Sequence, residues 1–157
     1  MTDEERIVRD FYDAFNAGDL ERSAEQFAEE CEYEFVAFGP TSTQRSRQQV
    51  LEGLRNWRAA FPDGRVEAIS VIACSNTVVV EWDSRGTWTG APIRGEQSNG
   101  RRFERRGCAV AELENAKIVR CRDYFDRANM WEPLGMLRFF GSDETAGRGT
   151  PAVGSRD

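Results

Sequence analysis

Two residues set in apolar company offer the clearest chemistry in this chain. Along 119–126 the side chains alternate as on a β-strand, with Val119, Cys121, Asp123 and Phe125 on one face and Arg120, Arg122, Tyr124 and Asp126 on the other. The first face is apolar except for Asp123, so a carboxylate is aimed at an interior that disfavours its charge. Such a group keeps its proton to higher pH and can carry it near neutrality. The alternatives for an Asp near a strand end are a salt bridge to Arg122 or a cap on the helix that follows. Tyr33 falls by the same rule with Cys31 and Phe35, opposite Glu32 and Glu34. It is either a core ring with a satisfied hydroxyl or a hydrogen-bond donor to a substrate oxygen. A third group, Glu81, Asp83 and Arg85, shares a face with Val79 and Thr87, opposite Val78, Val80, Trp82, Ser84 and Trp88. That polar face is either solvated or the polar wall of a pocket.

Composition narrows what these groups can do. The 157 residues contain no histidine, and of the 21 basic residues only Lys117 is a lysine. Ser-His-Asp and Cys-His nucleophiles, imidazole bases and imidazole-based metal sites are therefore excluded. Proton chemistry falls to carboxylates, tyrosine, cysteine and the remaining cations. A net charge of −6 argues against a nucleic-acid partner, which wants a basic face. No apolar run approaches the ~20 residues of a membrane span. The start, MTDEERIVRD, lacks the basic and apolar stretches of a signal peptide, which predicts a cytoplasmic protein. Cys31, Cys74, Cys108 and Cys121 are scattered with no CxxC pair, which predicts reduced, mostly buried thiols and no metal.

The elements that must position these groups read as follows. Ile7, Val8, Phe11, Tyr12, Ala14 and Phe15 recur at helical spacing, with Thr2 and Glu5 as a capping box and Gly18 suited to the turn that ends the helix. Asp19 caps a second helix, Leu20 to about Glu29. A strand follows over Cys31–Phe38 and breaks at Gly39-Pro40. A third helix is predicted from Ser46 to Phe61, closed by Pro62-Asp63-Gly64. Strands Val66–Ala73, Thr77–Thr89, Arg101–Leu113 and Lys117–Asp126 come next, with turns at 74–76 and 114–116. A short helix from Ala128 to about Leu137 completes one domain, residues 1–140. The Gly/Ser/Thr/Pro-rich stretch 141–157 is predicted to be a disordered tail. Helices first and long antiparallel strands after make an α+β domain, whose curved sheet and packed helices leave a pocket for a small ligand.

Two louder features carry less. Arg94, Arg101, Arg102, Arg105 and Arg106 surround one hairpin, but Glu96 and Glu104 interrupt them, which predicts a solvated strand edge. The cluster Met130, Trp131, Leu134, Met136, Leu137, Phe139 and Phe140 predicts helix packing or a dimer seam.

The order of elements and four strings, "IVRDFYDAFNAGDLE" (7–21), "VVVEWDSRGTWTG" (78–90), "NGRRFERRGCAVAELENAKIVRCRDYFD" (99–126) and "LGML" (134–137), resemble the nuclear transport factor 2-like superfamily. More narrowly the chain is similar to the SnoaL-like polyketide cyclases and the limonene-epoxide-hydrolase-like enzymes. The resemblance implies a cone-shaped barrel, in which a curved, mostly antiparallel sheet is packed by three N-terminal helices and a short C-terminal one. It also implies a homodimer. Asp123 falls on the catalytic carboxylate of the hydrolases and the general acid/base of the cyclases. Asp83 falls near the hydrolases' second acid and Tyr33 near their water-positioning tyrosine. Departures accompany these matches. Glu81 stands where the hydrolases have arginine, and Phe35 where they have asparagine. Gly86-Thr87-Trp88-Thr89-Gly90 replaces the Gly-Thr-His-x-Gly of many cyclases.

The expected site therefore comprises Asp123, Tyr33, Asp83 and Glu81 for catalysis, with Phe35, Arg85, Trp57, Cys121, Phe125 and Trp131 contacting substrate. The reading that leads is a cofactor- and metal-independent cyclase or isomerase of secondary metabolism, acting on a hydrophobic polyketide- or terpenoid-like molecule. Epoxide hydrolysis or epoxide-driven cyclisation is the first alternative, and a non-catalytic binding module the second.

Overall fold

A computed structural model describes residues 1–137; the expected tail, 141–157, lies outside the described residues, as do Phe139 and Phe140. Helix α1 (Asp3–Asn16) is started by the reciprocal hydrogen bonds of Thr2 and Glu5, so the capping box forms as expected. It buries Val8, Phe11, Tyr12, Ala14 and Phe15. The second helix, α2 (Leu20–Ala24), is a single turn capped by Asp19. It is shorter than expected because Phe27, fully buried, already belongs to strand β1 (Phe27–Phe35). Two 3₁₀ turns over 36–42 lead to β2 (Gln44–Ser46), a strand too short to be read from alternation. Ser46 then caps α3 (Arg47–Ala60).

Four long strands follow: β3 (Arg65–Cys74), β4 (Thr77–Thr87), β5 (Arg102–Glu114) and β6 (Lys117–Phe125). The β5–β6 hairpin turns on Asn115 and Ala116, both at positive φ (49° and 58°). That twist matches the right-handed twist of the flanking strands. A one-turn helix, α4 (Ala128–Trp131), ends the described fold.

The strands form one sheet in the order β2-β1-β6-β5-β4-β3, antiparallel except for β1 beside β6. It curls without closing, leaving β2 and β3 as edges. Helices α1 and α3 pack against its concave side, α1 on β3 and β4 and α3 on β1 and β2. Alternation decides which half of each strand enters the core. Val78, Val80 and Trp82 of β4, Ala109, Ala111 and Leu113 of β5, and Cys121 of β6 all point under the helices, and a register shift between Glu112 and Leu113 brings Ile118 in with them in place of Val119. Ala60, Phe61, Trp88, Phe103, Met130, Leu134 and Met136 form a second core cluster, with Trp57, Ile93 and Trp131 packed against it.

Trp82 and Trp88 are 2% and 1% exposed and belong to the core. Of the two readings of the C-terminal apolar cluster, packing holds for Met130, Leu134 and Met136, which are buried in the second core cluster. Among the described residues no helix is long and apolar enough to cross a membrane. The four cysteines are free, Cys31 and Cys121 buried and Cys74 exposed.

Candidate functional site

Between the concave sheet and the helices lies a cavity of about 730 Å³. Its wall is mostly aromatic and aliphatic, with Phe11, Phe15, Phe35, Trp57, Phe61 and Phe125 among its lining. Asp123 reaches this wall from β6 and is 7% exposed. Its carboxylate accepts from both sides: Trp82 Nε1–H donates to Oδ1 at 2.9 Å, and the Tyr33 hydroxyl donates to Oδ2 at 3.0 Å. Burial raises the Asp123 pKa to about 6, against the opposing pull of the Trp82 bond, the Arg105 charge and the Tyr33 bond. Desolvation and the nearby carboxylate push the Tyr33 phenol well above its usual value, so it stays protonated as the donor. Tyr12, on the same wall, is pushed the same way by the same causes.

The alternative roles for Asp123 fall to other residues. Arg122 pairs with Glu112 at 3.0 Å on the opposite sheet face, and the start of α4 is held by Asp126, whose Oδ1 accepts from the Ala128 amide. The register explains the arrangement. Tyr33 and Phe35 of β1 lie beside Cys121 and Asp123 of β6, so one parallel strand pair delivers both polar groups to the cavity.

Backbone economy on β5 makes room for Trp82. Gly107 is its cross-strand partner, and a methyl group there would fall inside van der Waals contact of the indole. The indole thus lies across β5 and reaches Asp123 on the strand beyond.

Of the expected contact residues, Phe35, Trp57, Phe125 and Trp131 line the cavity. Cys121 is buried in the core beside Tyr33 but is not part of the cavity wall. Glu81, Asp83 and Arg85 are not brought to it. They occupy the outer face of β4, where Asp83 pairs with Arg106 at 2.8 Å and Arg85 with Glu67 at 3.2 Å. The physical reason is the period of two: Trp82 and Ser84 fill the inward positions, leaving 81, 83 and 85 to water.

Among the groups at the cavity that were overlooked are Trp82, Ser84 and Arg105. Arg105 shares its strand parity with Phe103, Ala109, Ala111 and Leu113, all buried, so alternation on β5 would have placed it inward. The neighbouring arginines masked that signal. Its guanidinium carbon lies 4.4 Å from the Phe125 ring centroid and 5.4 Å from that of Trp82. At the mouth Arg94 lies over Trp131 at 4.5 Å. Among the described residues no cluster of His, Cys, Asp or Glu is arranged to hold a metal ion.

Comparison with known proteins agrees with this architecture. Candidate polyketide cyclases come from Xanthomonas campestris (TM-score 0.75, 19% identity, 84% of this chain and 96% of that one) and from Streptomyces antibioticus, IdmH (TM-score 0.72, 24% identity, 84% and 98%). An LEH-like epoxide hydrolase of M. tuberculosis superposes with TM-score 0.68 at 22% identity, over 84% and 89%. At such identities the likeness establishes the shared fold. No curated protein matches the sequence. Residues 8–121, from α1 to the strand that carries Asp123, match the SnoaL-like domain, and the chain belongs to that family.

Proposed function

We propose that this protein is an acid–base enzyme that needs no cofactor and acts on a hydrophobic small molecule of polyketide or terpenoid type, by cyclisation or isomerisation. One observation carries the reading: a buried carboxylate, held by two neutral donors, stands on the wall of an apolar cavity. The two donors fix the orientation of Asp123 while leaving it free of any ion pair, so its proton is exchanged near neutral pH. Asp123 takes a proton from an activated carbon or delivers one to a substrate oxygen. Tyr33 supports this through its bond to Oδ2, and passes that hydrogen bond to a substrate oxygen when Asp123 is protonated. General acid–base help of this kind is worth ~10²–10⁴-fold, enough for ring closure of a substrate folded by the cavity.

Epoxide hydrolysis draws less support. Asp123 is the only carboxylate on the described cavity wall, so a second acid to activate water is missing. Protonation of an epoxide oxygen by Asp123 is compatible with the same geometry. A homodimer is part of the reading and is checked by analytical ultracentrifugation, and a cytoplasmic location is checked by cell fractionation.

The test is a turnover screen over polyketone and terpenoid substrates, with epoxides included and labelled water reporting hydrolysis. Asp123→Asn should lower turnover ~10²–10⁴-fold while circular dichroism stays unchanged. A fully active variant overturns the assignment. A wild-type protein that binds these molecules but converts none would make it a binding module.

A further inference from the structure

We infer that Ser84 and Arg105 form an anion-binding subsite in the cavity, and that the natural ligand is an apolar molecule bearing a carboxylate seated there. This rests on the cavity being a small-molecule site, but not on Asp123 being catalytic.

Ser84 of β4 and Arg105 of β5 are direct cross-strand partners, both on the inward face and both on the cavity wall. Side chains so placed stand ~5 Å apart at Cβ and present their polar ends together. Ser84 is 3% exposed and its Oγ has no hydrogen-bond partner. Arg105 Nε is likewise buried without a partner. Among the described residues the Arg105 guanidinium makes neither a hydrogen bond nor an ion pair. Buried polar groups are almost always satisfied, and two neighbouring exceptions call for an explanation.

The surroundings do not supply one. The rings of Phe125, Trp82 and Phe103 lie 4.4, 5.4 and 5.6 Å from the guanidinium carbon. They accept positive charge over their faces, but they lack the lone pairs that five guanidinium N–H groups require. The nearest buried acid, Asp123, already accepts from Tyr33 and Trp82. At the surface Arg45, Arg55, Arg106 and Arg120 each reach a carboxylate within 3.3 Å. Arg105 is held away from such partners, with burial lowering its pKa, although a guanidinium stays charged.

A carboxylate fits Ser84 and Arg105 in charge and shape. Its two oxygens match the planar fork of one guanidinium, and the Ser84 hydroxyl donates to the oxygen nearer β4. The Arg105 charge offsets that of the carboxylate, and because ionised Asp123 also draws on Arg105, removing the Asp123 charge should if anything strengthen the ligand carboxylate's hold. The apolar wall takes the rest of the molecule, and the exposed Arg94 at the mouth steers an anion inward.

The test uses full-length protein and calorimetric titration at pH 7.5 with 2-naphthylacetate and its neutral isostere 2-naphthylacetamide. The wild type should bind the carboxylate about tenfold more tightly, the worth of a charge-assisted bond. Arg105→Met should abolish that preference and leave amide binding unchanged. Removing an unpaired charge from an apolar wall should not unfold the protein, which a thermal melt verifies. Ser84→Ala, a smaller change, should reduce the preference about threefold, and an unchanged preference overturns the part of Ser84 in the subsite. Equal binding of the two probes by the wild type, or a preference that survives Arg105→Met, overturns the subsite. So does a preference that disappears in Arg94→Ala, which would put the anion at the mouth. Asp123→Asn should keep the preference, so a failure of the catalytic reading and a failure of this one give different results.

Discussion

The two faces of one sheet use the same residue types to opposite effect. On the outer face of β4–β6, Asp83 meets Arg106, and Arg120 and Arg122 both reach Glu112. Water screens those charges, and pairs of that kind contribute ~0–1 kcal/mol. One peptide unit away, on the inner face, Asp123 has two neutral donors and Arg105 has no acid partner. There the low dielectric raises the Asp123 pKa to about 6, whereas the Arg106 guanidinium beside Asp83 holds that carboxyl below its ordinary value. The residue type therefore says little about role; the side of the strand says nearly everything.

The strongest way to break the inner face is steric. Gly107→Ala drives a methyl into the Trp82 indole and should displace it from Asp123, destabilising the fold by about 1–3 kcal/mol in denaturant melts. An unchanged midpoint would show that the indole can yield without loss.

A smaller effect tests the buried charge itself. Because folded Asp123 holds its proton more tightly than the unfolded chain does, stability should fall as pH rises from the ordinary carboxylate range to about 6, and stay lower above. Asp123→Asn removes this term. The variant should gain on the wild type by about 1–3 kcal/mol between pH 4 and pH 7, less whatever the amide loses in accepting two donors. A stability difference independent of pH would contradict the raised pKa.

Subtler still is the effect of one donor. Trp82→Phe deletes the N–H that favours the carboxylate, so the Asp123 titration, followed by carbon-13 resonance of its side chain, should move above about 6. A downward move would mean that the indole is not a donor in solution. Least of all should be felt at the outer face. Asp83→Asn breaks the ion pair to Arg106 and should change stability by ~0–1 kcal/mol and leave turnover intact. A loss of activity there would return Asp83 to the site.

How much of this was legible without coordinates varies from element to element. The capping box of Thr2 and Glu5, the helix after Ser46 and the hairpin at 114–116 depend on neighbours in sequence, and they form where they were read. Strand boundaries were off where burial overrode local pattern: Phe27 joins β1 although its neighbours look helical. Asp123 was legible because one odd polar residue interrupts an apolar face. Arg105 was hidden among four other arginines, although its parity with Phe103 and Ala109 marked it as inward. Asp83 was drawn into the candidate site by its resemblance to the hydrolases' second acid, and Glu81 by the reading of its polar face as a pocket wall, both against the parity of Trp82.

What the sequence by itself determined is local and periodic: the lack of histidine, the helix caps, and the alternation that turns Asp123 and Tyr33 inward together. These follow from residue chemistry and the period of two, which need no knowledge of the neighbours. Only the tertiary structure decided which groups meet. The parallel pairing of β1 with β6 sets Tyr33 against Asp123, Gly107 lets Trp82 cross β5, and the antiparallel register of β4 with β5 puts Ser84 beside Arg105. Those contacts join residues far apart in the chain, and their partners are fixed by strand order and register, which no local pattern encodes.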